Sequence, residues 1–131
     1  MFSTMVRKIL LSAASATFVF ALGGLADAQE EPRNPSAGEI LATYYAGKQD
    51  IKDRFNDMAL SAYNAAVWSN GYVGTVMHQT PMFCIPDGTF LDGPAIFGMV
   101  RDMIGGDPKF AQAEFELVIV AGMIKNYPCR T

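Results

Sequence analysis

Residues 51–67 read IKDRFNDMALSAYNAAV, and their spacing decides the fold class. Ile51, Phe55, Met58, Ala59, Ala62, Tyr63, Ala66 and Val67 recur at three- and four-residue steps, with Lys52, Asp53, Arg54, Asn56 and Asp57 between them. Side chains so spaced share one side of a helix, because a turn takes about 3.6 residues. The same face continues through Val73, Val76 and Met77, although Asn70-Gly71 is also a turn dipeptide. The expectation is one long amphipathic helix with a weak point at Asn70-Gly71, its end open between Ser69 and His78.

The flanking segments carry helix punctuation of the same kind. Ser36-Ala37-Gly38-Glu39 has the form of a capping box, in which the serine oxygen takes the amide three residues on and the glutamate reaches back. Ile40, Leu41, Tyr44 and Tyr45 follow as an expected inner face, and Gly47 supplies a stop. Residues 79–88 hold two prolines and a glycine and read as a loop. A third helix begins after Thr89 or Asp92. Pro94 fits only a first turn, which favours Asp92 as cap and residues 95–104 as body. Ile96, Phe97, Val100, Met103 and Ile104 then face inward, and Gly105-Gly106 ends the helix. Asp107-Pro108 opens a last helical segment with proline at its first position. Its expected buried side is Phe115, Leu117, Val118, Val120, Ala121 and Ile124, up to Pro128. No polar–apolar alternation competes, so the fold is expected to be all-α: a small single-domain bundle of four or five helices over residues 36–131.

The N-terminus reads as an export signal. Arg7 and Lys8 precede an apolar stretch from Ile9 to Leu22, and Ala26-Asp27-Ala28 offers the small residues a signal peptidase needs. That stretch of about 14 residues is short of the roughly 20 that cross a bilayer. A signal peptide at residues 1–28 is therefore expected, then a disordered leader at 29–35, with the mature chain free in the periplasm and not held in the membrane. Without Arg7, Lys8 and Asp27, eight basic side chains face twelve acidic ones, a net charge of about minus four. A basic stripe with interleaved aromatics is absent, which argues against a nucleic-acid partner.

Cys84 and Cys129 are the only cysteines. Their separation lacks zinc-site spacing even with His78 as a third ligand, and exported thiols usually pair, so a Cys84–Cys129 disulfide is expected and no metal or cofactor. Catalytic constellations are equally wanting. His78 is the single histidine, and neither Ser61 nor Ser69 sits in a nucleophile elbow. Asp53 and Asp57 flank Arg54 on the polar side of their helix, and Glu114 and Glu116 fall on different sides of theirs. Gly71-Tyr72-Val73-Gly74 lacks the strand and basic residue of a phosphate cradle and reads as close helix packing. The chain is expected not to be an enzyme.

One resemblance bears on function. Phe83-Cys84-Ile85-Pro86-Asp87-Gly88-Thr89, an amphipathic helix, Asp107-Pro108, and the ending Tyr127-Pro128-Cys129 resemble the Rap/Tai family of small, exported, cysteine-stapled helical proteins. The likeness spans about Phe83 to Cys129. The chain departs from the family pattern in having no second cysteine pair and in carrying Asp107 where a histidine is usual. The resemblance implies an immunity protein that blocks a peptidoglycan amidase injected through type VI secretion, by occluding the amidase's cleft. Ile85, Pro86, Asp87, Gly88 and Thr89, pinned by Cys84, form the candidate contact surface; the plainer role for that loop is a helix connector. The expected partner is a protein, either such an amidase or a second copy of the chain. The competing reading is a small periplasmic acid-stress chaperone that exposes apolar surface as its carboxylates titrate.

Overall fold

The computed structural model describes residues 32–130, and the proposed signal peptide lies outside them, as does the first part of the leader. Residues 32–35 are exposed and have no regular structure. Four α-helices follow: α1 Ala37–Ala46, α2 Gln49–Thr75, α3 Gly93–Gly106 and α4 Phe115–Asn126, with a 3₁₀ turn at Pro108–Gln112 before the last. There is no strand among the described residues, only an isolated antiparallel bridge between Ser36 and Glu114. The fold is the small, all-α, single-disulfide domain that the periodicity predicts.

Local chemistry sets the helix starts. The Ser36 amide donates to Glu39 Oε2 at 2.8 Å while Ser36 Oγ accepts from the Glu39 amide at 3.3 Å, so two of the orphan donors at the α1 N-terminus are satisfied. Asp92 Oδ1 accepts from the Ala95 amide at 2.9 Å and Pro94 sits in the first turn of α3. Helix α3 runs through Gly105-Gly106 and stops at Asp107, slightly later than those glycines suggest.

Helix α3 touches every other helical element. Its Phe97 is fully buried and stacks on Tyr44 of α1, centroids 3.7 Å apart and planes 3° off parallel. Phe115 of α4 lies 5.3 Å from the same ring and Phe55 of α2 6.4 Å. One aromatic side chain thus joins all four helices, and such ring pairs add to the stabilisation that burial supplies. Against α4 the packing is tight at Gly122, where an added Cβ would stand 2.8 Å from Met99 Cγ. Ile96, Val100, Met103, Val118, Ile119 and Met123 complete this layer.

Several inward assignments need correction. Tyr45 is exposed, because its neighbour Tyr44 takes the core position and adjacent residues lie about 100° apart on a helix; its ring lies 5.5 Å from the Arg101 guanidinium instead. Met58, Val76 and Met77 also face solvent. On α4, Leu117 is 60% exposed and Ile124 is exposed, while Ile119 and Met123 are buried. Residues 115–124 are apolar on nearly all sides, so periodicity does not single out a face; the close approach at Gly122 does.

The last segment is also not one helix. Ala113 and Glu114 are extended, with ψ values of 162° and 143°. The Ala37 amide donates to Ala113 O at 2.8 Å, and this pairing with the entry to α1 outcompetes helical propensity there. Helix α2, by contrast, passes through Asn70-Gly71 unbroken and ends at Thr75.

Candidate interaction surface

The segment between α2 and α3 has no helix or strand of its own, so its backbone needs partners from elsewhere. Asn70, on the inner side of α2 and 8% exposed, supplies three of them. Its Nδ2 donates to Phe83 O at 2.8 Å, and its Oδ1 accepts from the amides of Met82 at 2.8 Å and Phe83 at 3.3 Å. A single amide side chain thereby stands in for a neighbouring strand. Phe83 is driven into the core beside it. The Cys84 amide donates to Tyr127 O at 2.8 Å, and Cys84 is bonded to Cys129 with Cα atoms 4.8 Å apart. The disulfide therefore ties the α2–α3 loop, rather than the start of α3, to the segment after α4.

Beyond this anchor the chain reverses at Pro86-Asp87-Gly88-Thr89. The Thr89 amide donates to Pro86 O at 3.1 Å, and Gly88 has φ +80°, the left-handed third position of a type II turn. Of the expected contact residues, Pro86, Asp87 and Gly88 are exposed, whereas Ile85 and Thr89 are half-buried and Ile85 packs against the core. Phe90, which sequence reasoning did not single out, is 69% exposed beside the turn.

A second surface lies on the outer side of α2. Trp68 is 76% exposed and stacks on exposed Tyr72, centroids 6.5 Å apart and planes 16° off parallel. Val76, Met77 and Met82 are exposed close by in the chain. Val67, Trp68, Gly71, Tyr72, Thr75 and Val76 line a shallow, mostly apolar groove. The close packing expected at Gly71 to Gly74 does not occur: nothing lies within 4 Å of a Cβ built on Gly71, and Pro81 Cγ is 3.7 Å from one on Gly74. A signal for this surface exists in the sequence, since no Asp, Glu, Lys or Arg occurs from Met58 to Pro86. Clustered exposed aromatics and methionines without charge mark the centres of protein interfaces.

His78 is exposed and has φ 52°. Asp53 accepts from Gln49 Nε2 at 2.8 Å on an exposed helix face. Among the described residues no three His, Cys, Asp or Glu side chains cluster as metal ligands would, and no helix is long and apolar enough to cross a membrane. Tyr63 is buried on the inner side of α2. Burial, and secondarily the neighbouring Tyr127, push its hydroxyl above the ordinary tyrosine value. Comparison with protein-family models, with curated proteins and with solved structures finds no match.

Proposed function

We propose that the chain is an exported protein-binding domain that inhibits an enzyme by covering its cleft. The observation that carries this reading is the turn at Pro86 to Thr89. It is exposed at Pro86, Asp87 and Gly88, is followed by exposed Phe90, and is clamped between the Cys84–Cys129 bond and the Asp92 cap. A clamped loop loses little conformational freedom on binding, and an exposed aromatic beside a charge is the kind of anchor on which binding energy concentrates. The Rap/Tai likeness over Phe83 to Cys129 includes this loop and suggests the partner, a peptidoglycan amidase delivered to the periplasm by type VI secretion. Export through the Met1–Ala28 segment would bring inhibitor and target together.

The test is periplasmic co-expression with the product of the adjacent gene and with a panel of amidase toxins, following lysis. Protection is expected, and Asp87→Lys or Phe90→Ala should abolish it without lowering the melting temperature. Absence of protection against every toxin would overturn the inhibitor reading. Suppression of client aggregation at acid pH alone would replace it with the chaperone reading.

A further inference from the structure

The Cys84–Cys129 bond ties down a loop that other contacts already hold. Asn70 pairs with Met82 and Phe83, the Phe83 side chain is buried, and the Cys84 amide donates to Tyr127 O. The crosslink therefore acts chiefly on what lies beyond these contacts: the turn at Pro86 to Thr89, and residues 128–130, which have no regular structure. We propose that this bond is an exchangeable one: the folded chain is a substrate for a dithiol oxidoreductase, which attacks Cys84 Sγ, opens the bond and loosens the turn while the helices stay in place.

Access, charge and a waiting hydrogen-bond acceptor each support this. Exchange needs a thiolate to reach one sulfur of the pair, and the rate depends on which sulfur is open and how well the other leaves. Cys84 is exposed and Cys129 half-buried, so Cys84 is the sulfur attacked and Cys129 the one that departs. Cys84, Ile85 and Pro86 border a surface cleft whose charged lining residues are Lys125 and Arg130. On a chain that is net acidic, two cations at this place favour the approach of an anionic thiolate and steady the thiolate that leaves. Cys129 Sγ lies 3.6 Å from Pro81 O. In the oxidised chain that sulfur has no hydrogen; as a thiol it becomes a weak donor facing an acceptor already in position.

The exchange runs in two displacements. The first thiolate of the oxidoreductase bonds to Cys84 Sγ as the Cys84–Cys129 bond breaks, and Cys129 leaves with the electron pair and takes up a proton. The second thiol of the oxidoreductase, deprotonated, attacks its partner sulfur in the mixed disulfide, and Cys84 leaves as a thiolate and is protonated in turn. Two electrons and two protons have passed to the chain, and the oxidoreductase keeps the disulfide. The turn then retains the Asn70 anchor on one side and the Asp92 cap on the other but loses its covalent tie to the segment after α4. A looser turn gives up more conformational freedom on binding, so the oxidised chain is the tighter binder. That consequence rests on the inhibitor reading; the exchange at Cys84 does not.

The experiment treats the oxidised, folded protein with dithiothreitol over a range of concentrations and follows the bond by alkylation and mass. It then repeats the reaction with a reduced thioredoxin whose second active-site cysteine is serine, which traps the mixed disulfide. The reduction rate should rise in proportion to dithiothreitol and exceed the global unfolding rate measured by denaturant jump. Peptide mapping should find the trapped thioredoxin on Cys84 in preference to Cys129 by about tenfold or more. In the reduced chain, amide exchange should rise about tenfold or more at residues 84–90 while the amides of α3 stay protected. A rate that levels off at the unfolding rate overturns the proposal, because the bond is then attacked only in the unfolded chain. So does a mixed disulfide mainly on Cys129, or none. A reduced chain that loses protection in α3, or one whose exchange at residues 84–90 is unchanged, overturns it as well.

Discussion

The two halves of α2 obey opposite rules. From Gln49 to Asp57 the helix is conventionally amphipathic: Phe55 packs against the core and Ile51 is half-buried, while Asp50, Asp53, Arg54 and Asp57 face water. From Met58 to Thr75 a polar amide, Asn70, is buried beside Ala59 and Tyr63, while Trp68 and Tyr72 are outside. The difference teaches that polarity tracks burial only where a helix packs against other helices. In the second half α2 packs against an irregular loop, whose peptide groups want hydrogen bonds rather than methyl groups. Its other side carries apolar groups that the monomer leaves uncovered.

If the second half is held by the loop, severing the loop's anchor should have the largest effect. Converting both cysteines to serine opens a crosslink spanning 45 residues, worth about 4 kcal/mol in the chain-entropy model. The melting temperature should fall, and amide exchange should rise around residues 70–90 before it rises in residues 49–57. Equal exchange gains in both halves would erase the distinction. Asn70→Ala comes next, at about 2–3 kcal/mol, because it strands the buried peptide groups of Phe83 without a partner. Faster exchange of the Met82 and Phe83 amides checks the mechanism, and an unchanged melting temperature would refute it. Gly71→Ala should go the other way and stabilise dilute monomer by about 0.5–1 kcal/mol, since the added methyl meets no atom. A lower melting temperature would show that the helix is strained at this point.

The smallest effect belongs to Tyr63, on the buried side of the second half. Its hydroxyl titrates above the ordinary value of 10.0 because burial, then Tyr127, disfavour the phenolate. A raised folded-state value means that the contribution is intact below about pH 10 and is lost as the pH climbs toward the folded value. Tyr63→Phe should therefore leave stability unaltered at neutral pH and flatten the decline above pH 10. A decline as steep as in the wild type would place the alkaline transition elsewhere.

Where an element is specified by adjacent residues, the sequence alone was enough to read it. The Ser36–Glu39 box, the Asp92 cap, the α2 period and the cysteine pair each depend on chemistry within a few residues, or on there being only two thiols to pair. What was missed depends on distant partners. The burial of Asn70 has no cause until Met82 and Phe83 are brought alongside, although the long helix through Asn70-Gly71 is the expected one, and Ala113-Glu114 looks helical until Ala37 arrives. Leu117 and Ile119 are interchangeable on paper, and only the approach of Met99 to Gly122 separates them. Of the candidate contact loop, the turn itself was legible in Pro86-Asp87-Gly88. The exposure of Phe90 and Trp68 was not, because neither belongs to an apolar stripe and the period therefore gives neither a side.

The Asn70 geometry also bears on chemical ageing. In Asn-Gly steps the glycine nitrogen attacks the asparagine side-chain carbon and expels ammonia to form a succinimide, which water opens to aspartate or isoaspartate. In the folded chain the Gly71 N–H is committed to the helix and the Asn70 amide is held inward at both its atoms, so attack is blocked. Each excursion to the unfolded state removes that protection. A chain aged to aspartate at this position keeps an acceptor for the loop amides but has no donor for Phe83 O, so it refolds with its loop anchor damaged. The residue that holds the loop thus doubles as a clock recording how long the protein has spent unfolded.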